Sequence, residues 1–285
     1  MSTSSQPLRI GEFARRVGVA PELLRAWEKR YGLLQPVRSP GGFRLYTDDD
    51  TARVAGMRRA LGDGLSAAQA ARAALEQGHV SGGLSSDLAA RLLEAIERYD
   101  EAAAHALLDE SLAAFGLETV LRDVILPTLT QVGLRWEAGA LEISHEHFAS
   151  NLIRGRLLSL ARLWGRGGGP LAVLACAPGE THDISLLAFG LLLRSHGWRI
   201  LFLGANTPIP TLIRTAKTTQ PALTVLTSFD PAYLAGEATA LRRLAKAAPL
   251  ALSGPGASEA LSKRLGVQWL DGDVVQAAAD VARHQ

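Results

Sequence analysis

With 285 residues, 47% hydrophobic and 20% charged, the chain is too long for one ordinary core and too apolar to be disordered, which implies two or three globular domains. No apolar run approaches the roughly 20 residues of a membrane span, and the start MSTSSQPLRIGEF lacks the apolar core of an export signal, so a cytoplasmic location is expected with no membrane partner. Cys176 is the only cysteine, which excludes an intramolecular disulfide and a thiolate metal cage, and the net charge of +2 is concentrated at one end: the first 47 residues hold eight Lys/Arg against three Asp/Glu.

Ile10, Phe13, Ala14 and Val17 mark one face of a first short helix that Gly18 ends. Pro21 suits the first turn of a second helix running to Tyr31, because its fixed φ is helical and its missing donor is not needed there. Two short helices joined by a tight turn form a helix-turn-helix. Leu23, Leu24, Trp27 and Tyr31 are then available to pack on the first helix. Arg25, Lys29 and Arg30 can face a DNA groove. Pro36 to Tyr46, with Pro40, Gly41 and Gly42 in its middle, reads as a two-stranded wing whose Arg38, Arg44 and Tyr46 can grip the flanking phosphates. An ordinary solvated basic face is the competing reading, but here charge, turn chemistry and wing occur together. Thr47 and the Asp48 to Asp50 run supply the start of a third helix, and a fourth spans Ser66 to Glu76.

The stretch IGEFARRVGVAPELLRAWEKRYGLLQPVRSPGGFRLYT resembles the winged helix-turn-helix of the MerR family. That resemblance covers about the first 75 residues and implies binding to double-stranded promoter or operator DNA as a dimer. Many members follow this domain with a long coiled-coil helix, whereas here a helical bundle is expected.

Gly78 to Ser86, rich in Gly and Ser, reads as a linker. Asp87 to Tyr99, Glu101 to Phe115, Leu117 to Trp136 and Glu142 to Trp164 have helical spacing, which predicts a four-helix bundle, with Pro127 kinking the third helix. Gly165 to Pro170 is a second boundary. Beyond it, strands at Leu171 to Ala177, Arg199 to Leu203, Ala222 to Thr227, Pro249 to Ser253 and Val267 to Leu270 alternate with helices, which predicts a parallel sheet covered on both faces. The fold class is therefore multidomain α and α/β: a winged helix-turn-helix over residues 1–77, a four-helix bundle over 86–165 and a Rossmann-like, flavodoxin-like sheet over 169–285.

His182 follows the first of these strands, at the mouth where open α/β sheets hold ligands. Glu180, two residues earlier, can take a hydrogen bond from one ring nitrogen and leave the other to face a metal. A zinc site needs three or four protein ligands and no cluster supplies them, whereas one histidine suits a metal already held by a macrocycle. A lone structural histidine is the competing reading.

Residues 180 to 185 resemble the Asp/Glu-x-His-x-x-Gly pattern of cobalamin-binding domains, with Ser185 in place of the glycine. The family's later elements correspond to Thr227 with Phe229 and to Ser253 with Gly254. Trp136, nine residues, Glu146 and His147 resemble the signature of the CarH/LitR group of MerR-type, cobalamin-dependent light-sensing repressors, as do HEHFASNLIRGRL and LGANTPIP. The resemblance implies that His182 coordinates cobalt from below and that the bundle covers the upper face, with Trp136 and Glu146 at an adenosyl group. It implies cobalamin as cofactor, adenosylcobalamin first and methylcobalamin as the alternative, and self-association into a dimer or tetramer. Light-sensing members carry a histidine directly after the tryptophan that captures cobalt after illumination. Glu137 stands there in this chain, and a carboxylate is a harder, anionic ligand. His145 and His147 are the nearby imidazoles. Trp136 packed only in the bundle interior is the competing reading for that residue.

These observations predict a cobalamin-responsive repressor that is not an enzyme, since no Ser/His/Asp set, phosphate-cradling loop or carboxylate pair stands out. Two other readings stay open. One is a regulator whose sheet domain takes another tetrapyrrole or a protein partner. The other is a cobalamin-dependent methyl carrier, a role in which the N-terminal winged helix has no place.

Overall fold

The computed structural model describes residues 8–38, 42–162 and 164–283, and the chain divides into two compact units, Met1–Asp87 and Leu88–Gln285. Pro40 and Gly41 of the expected wing turn lie outside the described residues. No helix among the described residues is long and apolar enough to cross a membrane.

In the first unit, α1 (Ile10–Val17) ends on Gly18 at φ 63° and α2 (Pro21–Tyr31) ends on Gly32 at φ 63°, a left-handed geometry that glycine adopts without strain. The strands β1 (Val37–Arg38) and β2 (Arg44–Leu45) pair antiparallel, and a bridge joins Leu8 to Tyr46. Thr47 caps α3 (Asp48–Gly62) through a reciprocal box with Asp50. Phe13, Leu24, Trp27, Leu33, Tyr46, Val54 and Met57 form the core.

The Gly/Ser stretch expected to be a linker is helical. Helix α4 runs without a break from Ala67 to Glu97. It contributes Ala70, Ala71 and Ala74 to the first core and Leu88, Leu92 and Ile96 to the second. A glycine costs about 1 kcal/mol in a helix interior. A break would add two further helix ends with unsatisfied backbone groups, so flanking helical segments override the local composition.

The second unit begins with the bundle: the end of α4, α5 (Glu101–Ala114), α6 (Leu117–Thr119), a π-helical segment (Val120–Ile125), α7 (Leu126–Glu137) and α8 (Ile143–Leu160). The disturbance expected at Pro127 appears one turn earlier as that wider helix, in which the Leu126 N–H reaches back to the Leu121 carbonyl. Pro127 offers no N–H to continue the regular ladder, and the register change absorbs the missing bond.

Five parallel strands follow: β3 (Leu171–Cys176), β4 (Arg199–Gly204), β5 (Leu223–Thr227), β6 (Leu250–Ser253) and β7 (Gln268–Leu270), in the spatial order β4-β3-β5-β6-β7. This is the flavodoxin-like order 2-1-3-4-5, whose switch point lies between the carboxyl ends of β3 and β5. Side chains alternate along β3. Ala172, Leu174 and Cys176 join one core with α9 (Ile184–Ser195), α14 (Val274–Arg283) and the bundle. Val173, Ala175 and Ala177 join the other with α10 (Ile209–Thr219) and α12 (Ala238–Ala247). The bundle and one face of the sheet therefore share a single core.

Cys176 lies inside that core at 0% exposure. Burial, reinforced by the charges of Asp183 and Glu180 and opposed by Arg154, pushes its thiol up to about 12. At pH 8 the native protein should not react with a thiol reagent, and modification should appear only as denaturant unfolds the second unit. Stoichiometric labelling before any loss of far-ultraviolet circular dichroism would contradict this placement.

Candidate functional site

On the first unit, α2 buries Leu24 and Trp27 and exposes Arg25, Lys29 and Arg30. Leu23, expected to pack on α1, is instead 46% exposed, because adjacent helical residues point about 100° apart and the buried stripe already runs through Leu24 and Trp27. Arg38 and Arg44 are exposed on the wing, Arg38 donating to the Gly42 carbonyl at 3.1 Å and Arg44 pairing with Glu28 at 2.8 Å. Arg9 stacks over the exposed ring of Phe43 at 4.5 Å.

Tyr46 must be removed from the phosphate-gripping set. It is buried, its ring stacks on Phe13 at 4.7 Å, and its hydroxyl donates to Glu28 at 2.9 Å. Burial first, then the bond to Glu28, pushes its phenol up to about 12, while Arg44 and Arg25 pull the other way. Glu28 thus ties the wing to α2 through two partners, a role that the sequence reading missed. The i, i+3 neighbourhood of basic residues around Glu28 hid its long-range contacts with positions 44 and 46.

On the second unit, the loop from Ala177 to Asp183 leaves β3 at the switch point. Glu180 is fully buried and holds three donors: the His182 backbone N–H at 2.8 Å and its ring Nδ1 at 2.6 Å on one oxygen, and the Phe229 backbone N–H at 2.6 Å on the other. Burial pushes the Glu180 carboxyl up, but these bonds and the nearby His182 together outweigh it and hold the group below the usual carboxylate range. Its clip is therefore complete at and above that range and opens only in stronger acid. Phe229, in the loop after β5, leans its ring on the imidazole at 5.2 Å. The His182 side chain is 67% exposed, and its Nε2 makes no hydrogen bond or ion pair among the described residues.

Thr227 and Gly254 join the ends of β5 and β6. The Thr227 hydroxyl donates to the Ser253 carbonyl at 3.3 Å. Gly254 has φ 85°, and a Cβ there would stand 2.4 Å from the Ser228 carbonyl oxygen, so only glycine permits the close approach of the two loops. Ser185 lies in the first turn of α9, a right-handed position that needs no glycine.

In the bundle, Trp136 is 44% exposed, which places it outside the interior. Glu137 beside it is exposed. Glu146 on α8 is held between His147 Nδ1 at 2.7 Å and the Ser150 hydroxyl at 2.6 Å. His145 is engaged elsewhere, stacked on Tyr99 with its Nδ1 3.0 Å from the Tyr99 hydroxyl. Glu146, Ser150 and Arg154 recur every four residues and share one stripe of α8. At its end Arg154 grips Asp183, the residue after His182, at 2.8 Å. The stripe is thus anchored beside the imidazole loop, with Glu146 about 12 Å further along the helix.

These residues fit a corrinoid. No group of three His, Cys, Asp or Glu able to hold a metal occurs among the described residues. A single exposed imidazole fixed by a carboxylate could coordinate a metal whose other ligands come from a macrocycle.

A family model described as "MerR HTH family regulatory protein" matches residues 8–77, and one described as "B12 binding domain" matches residues 88–160. The HTH-type transcriptional repressor CarH of Myxococcus xanthus is 34% identical, with 93% of this chain and 95% of that protein covered. CarA, an HTH-type transcriptional repressor of the same organism, is 30% identical over 93% of each. Among solved structures, the monomethylamine corrinoid protein of Methanosarcina barkeri aligns with a TM-score of 0.59 at 19% identity, covering 70% of this chain and 99% of that one, a likeness of fold.

Proposed function

The chain belongs to the MerR-type transcriptional regulators with a cobalamin-binding domain that include CarH and CarA, and from that premise we propose that it is a repressor whose corrinoid state sets its assembly and its hold on operator DNA. The observation that carries this reading is the Glu180–His182 pair at the β3/β5 switch point, within the unit that also contains the bundle. Adenosylcobalamin is the form we assign. A corrinoid would be held by the His182 imidazole on one side and by bundle residues on the other, and would supply a cobalt centre whose ligand state the protein can sense.

The chain's own residues do the rest. Glu180 fixes the ring and directs Nε2 outward, and Phe229 supports its face. Trp136, Glu146 and His147 present an aromatic face, a carboxylate and an imidazole from the bundle. Residues 1–77 act as the DNA-binding domain, with Arg25, Lys29, Arg30, Arg38 and Arg44 as its DNA-contacting cations, residues 86–165 as the cap and residues 169–285 as the floor. A ligand that favours one assembly state shifts the population toward it, and joining several DNA-binding domains raises avidity without any new contact. The N-terminal unit distinguishes this reading from a methyl carrier of similar fold.

The test is sedimentation and promoter retention in darkness, with and without adenosylcobalamin, followed by green light. Assembly and retention should both change on adding the cofactor. If neither changes while the protein stays folded, the proposed coupling is wrong. An assembly state unaltered by illumination removes light alone from the scheme, as Glu137 in place of a second histidine suggests.

A further inference from the structure

Asp183 is the N-cap residue of α9, yet its side chain makes no cap hydrogen bond. An aspartate in that position ordinarily accepts from the first-turn amides of its own helix. Here the carboxylate is turned to Arg154, 29 residues away on α8, whose Nε donates at 2.9 and 3.0 Å and whose Nη2 donates at 2.8 Å. Asp183 is 2% exposed, whereas the Arg154 side chain keeps 43% of its surface in contact with solvent.

The same loop is tied on its other side to the sheet. The Asn206 N–H donates to the Glu180 carbonyl at 2.8 Å and the Gly179 N–H to the Asn206 side chain at 2.8 Å. Asn206 makes this reciprocal contact from the left-handed φ of 49°. His182 therefore sits between two fastenings of different kinds. Glu180 joins it to the loop after β5 and holds its ring, and Asp183 joins it to the bundle.

We propose that Arg154 is a positioning residue for the corrinoid site: its forked ion pair with Asp183 locks the 180–183 loop, and with it the His182 imidazole, to helix α8 of the bundle. The planar guanidinium fixes distance and orientation together, which a lysine ammonium cannot do. The stripe that carries Glu146 and Ser150 ends on this residue, so the floor ligand and the cap helix are held in one register.

This assignment rests on the corrinoid reading of His182, and its test keeps the two separable. The variants are Arg154→Met, Arg154→Lys and, as a control on an exposed bundle pair with Glu110, Arg91→Met. The first readout is the imidazole NMR signal of His182 in the cofactor-free chain, under conditions where circular dichroism shows each variant folded. Arg154→Met should shift or broaden that signal and leave those of His105 and His196 in place, Arg154→Lys should restore it in part, and Arg91→Met should not alter it. The second is dark titration with adenosylcobalamin, in which Arg154→Met should weaken binding about tenfold to a hundredfold, as loss of an orienting partner does. An unchanged His182 signal in Arg154→Met overturns the proposal whether or not the wild-type chain takes up the cofactor. A wild-type chain that binds no adenosylcobalamin overturns the corrinoid reading, and a shifted signal in Arg154→Met would still place Arg154 in control of the imidazole.

Discussion

Replacing His182 by alanine should abolish retention of adenosylcobalamin through gel filtration, with an affinity loss of more than about 100-fold, since even an orienting neighbour of a metal-binding histidine is worth about 10–100-fold. The size follows from the poverty of the site: no group of three metal-ligating side chains occurs among the described residues, so on the proposed reading one imidazole would carry the protein's bond to the metal. The fold should survive. The side chain is 67% exposed, and Glu180 keeps its bond from the Phe229 backbone after the ring is removed. Circular dichroism of the cofactor-free variant should therefore overlay the wild type, and urea unfolding should show a loss of about 1–3 kcal/mol, the cost of taking one donor from a buried charged acceptor that keeps its backbone donors. Full pigment retention by the alanine variant would exclude His182 as the axial ligand. Glu180→Gln should give a smaller defect, about tenfold or more, because the amide keeps one acceptor oxygen in place of two, meets the other backbone donor with an NH2 that cannot accept, and no longer carries the charge that orients Nδ1–H.

That site was largely legible because its parts are local. Glu180 and His182 are two residues apart, and the strand before them is a continuous apolar run of the kind a doubly covered parallel strand needs. All five strands were read to within a residue for the same reason, and the capping of α3 by Thr47 is carried by adjacent side chains. What the sequence concealed depends on distant partners. Asp183 looks like a helix cap, and nothing near it announces Arg154. Phe229 enters through a backbone N–H, which every residue but proline has. Gly78 to Ser86 carries the composition of a linker, but its backbone is settled by the helices on both sides.

Leu23 and Tyr46 show two further limits. Two neighbouring leucines cannot share one helix face, and the i, i+3 relation of Leu24 to Trp27 was the available signal for choosing between them. Tyr46 was assigned to DNA because it closes a basic wing motif, yet an aromatic residue at the foot of a short hairpin is the main apolar group available to tie that hairpin to the core. Motif membership identified the family correctly and misassigned the side chain.

The contact that does so makes Phe13→Ala the most damaging single change expected in the first unit. Phe13 is fully buried, and its ring lies on that of Tyr46 with centroids 4.7 Å apart and planes 10° apart. Tyr46 in turn is bridged to Leu8 and bonded to Glu28 of α2, so one stacked pair joins the first helix, the recognition helix and the wing. Truncating a buried phenylalanine costs about 3–5 kcal/mol, a large share of the 5–15 kcal/mol that an entire small domain possesses. Sequence-selective promoter retention should fall to the background level of a cationic chain. Adenosylcobalamin uptake should persist, because the Leu88–Gln285 unit has its own core and its own ligand residues. Urea unfolding followed by circular dichroism, read beside a filter-binding assay and a visible spectrum, separates these outcomes. A loss below 1 kcal/mol would mean that the stacked pair does not hold the winged domain together. Equal damage to pigment and promoter binding would mean that the two units do not fold on separate cores.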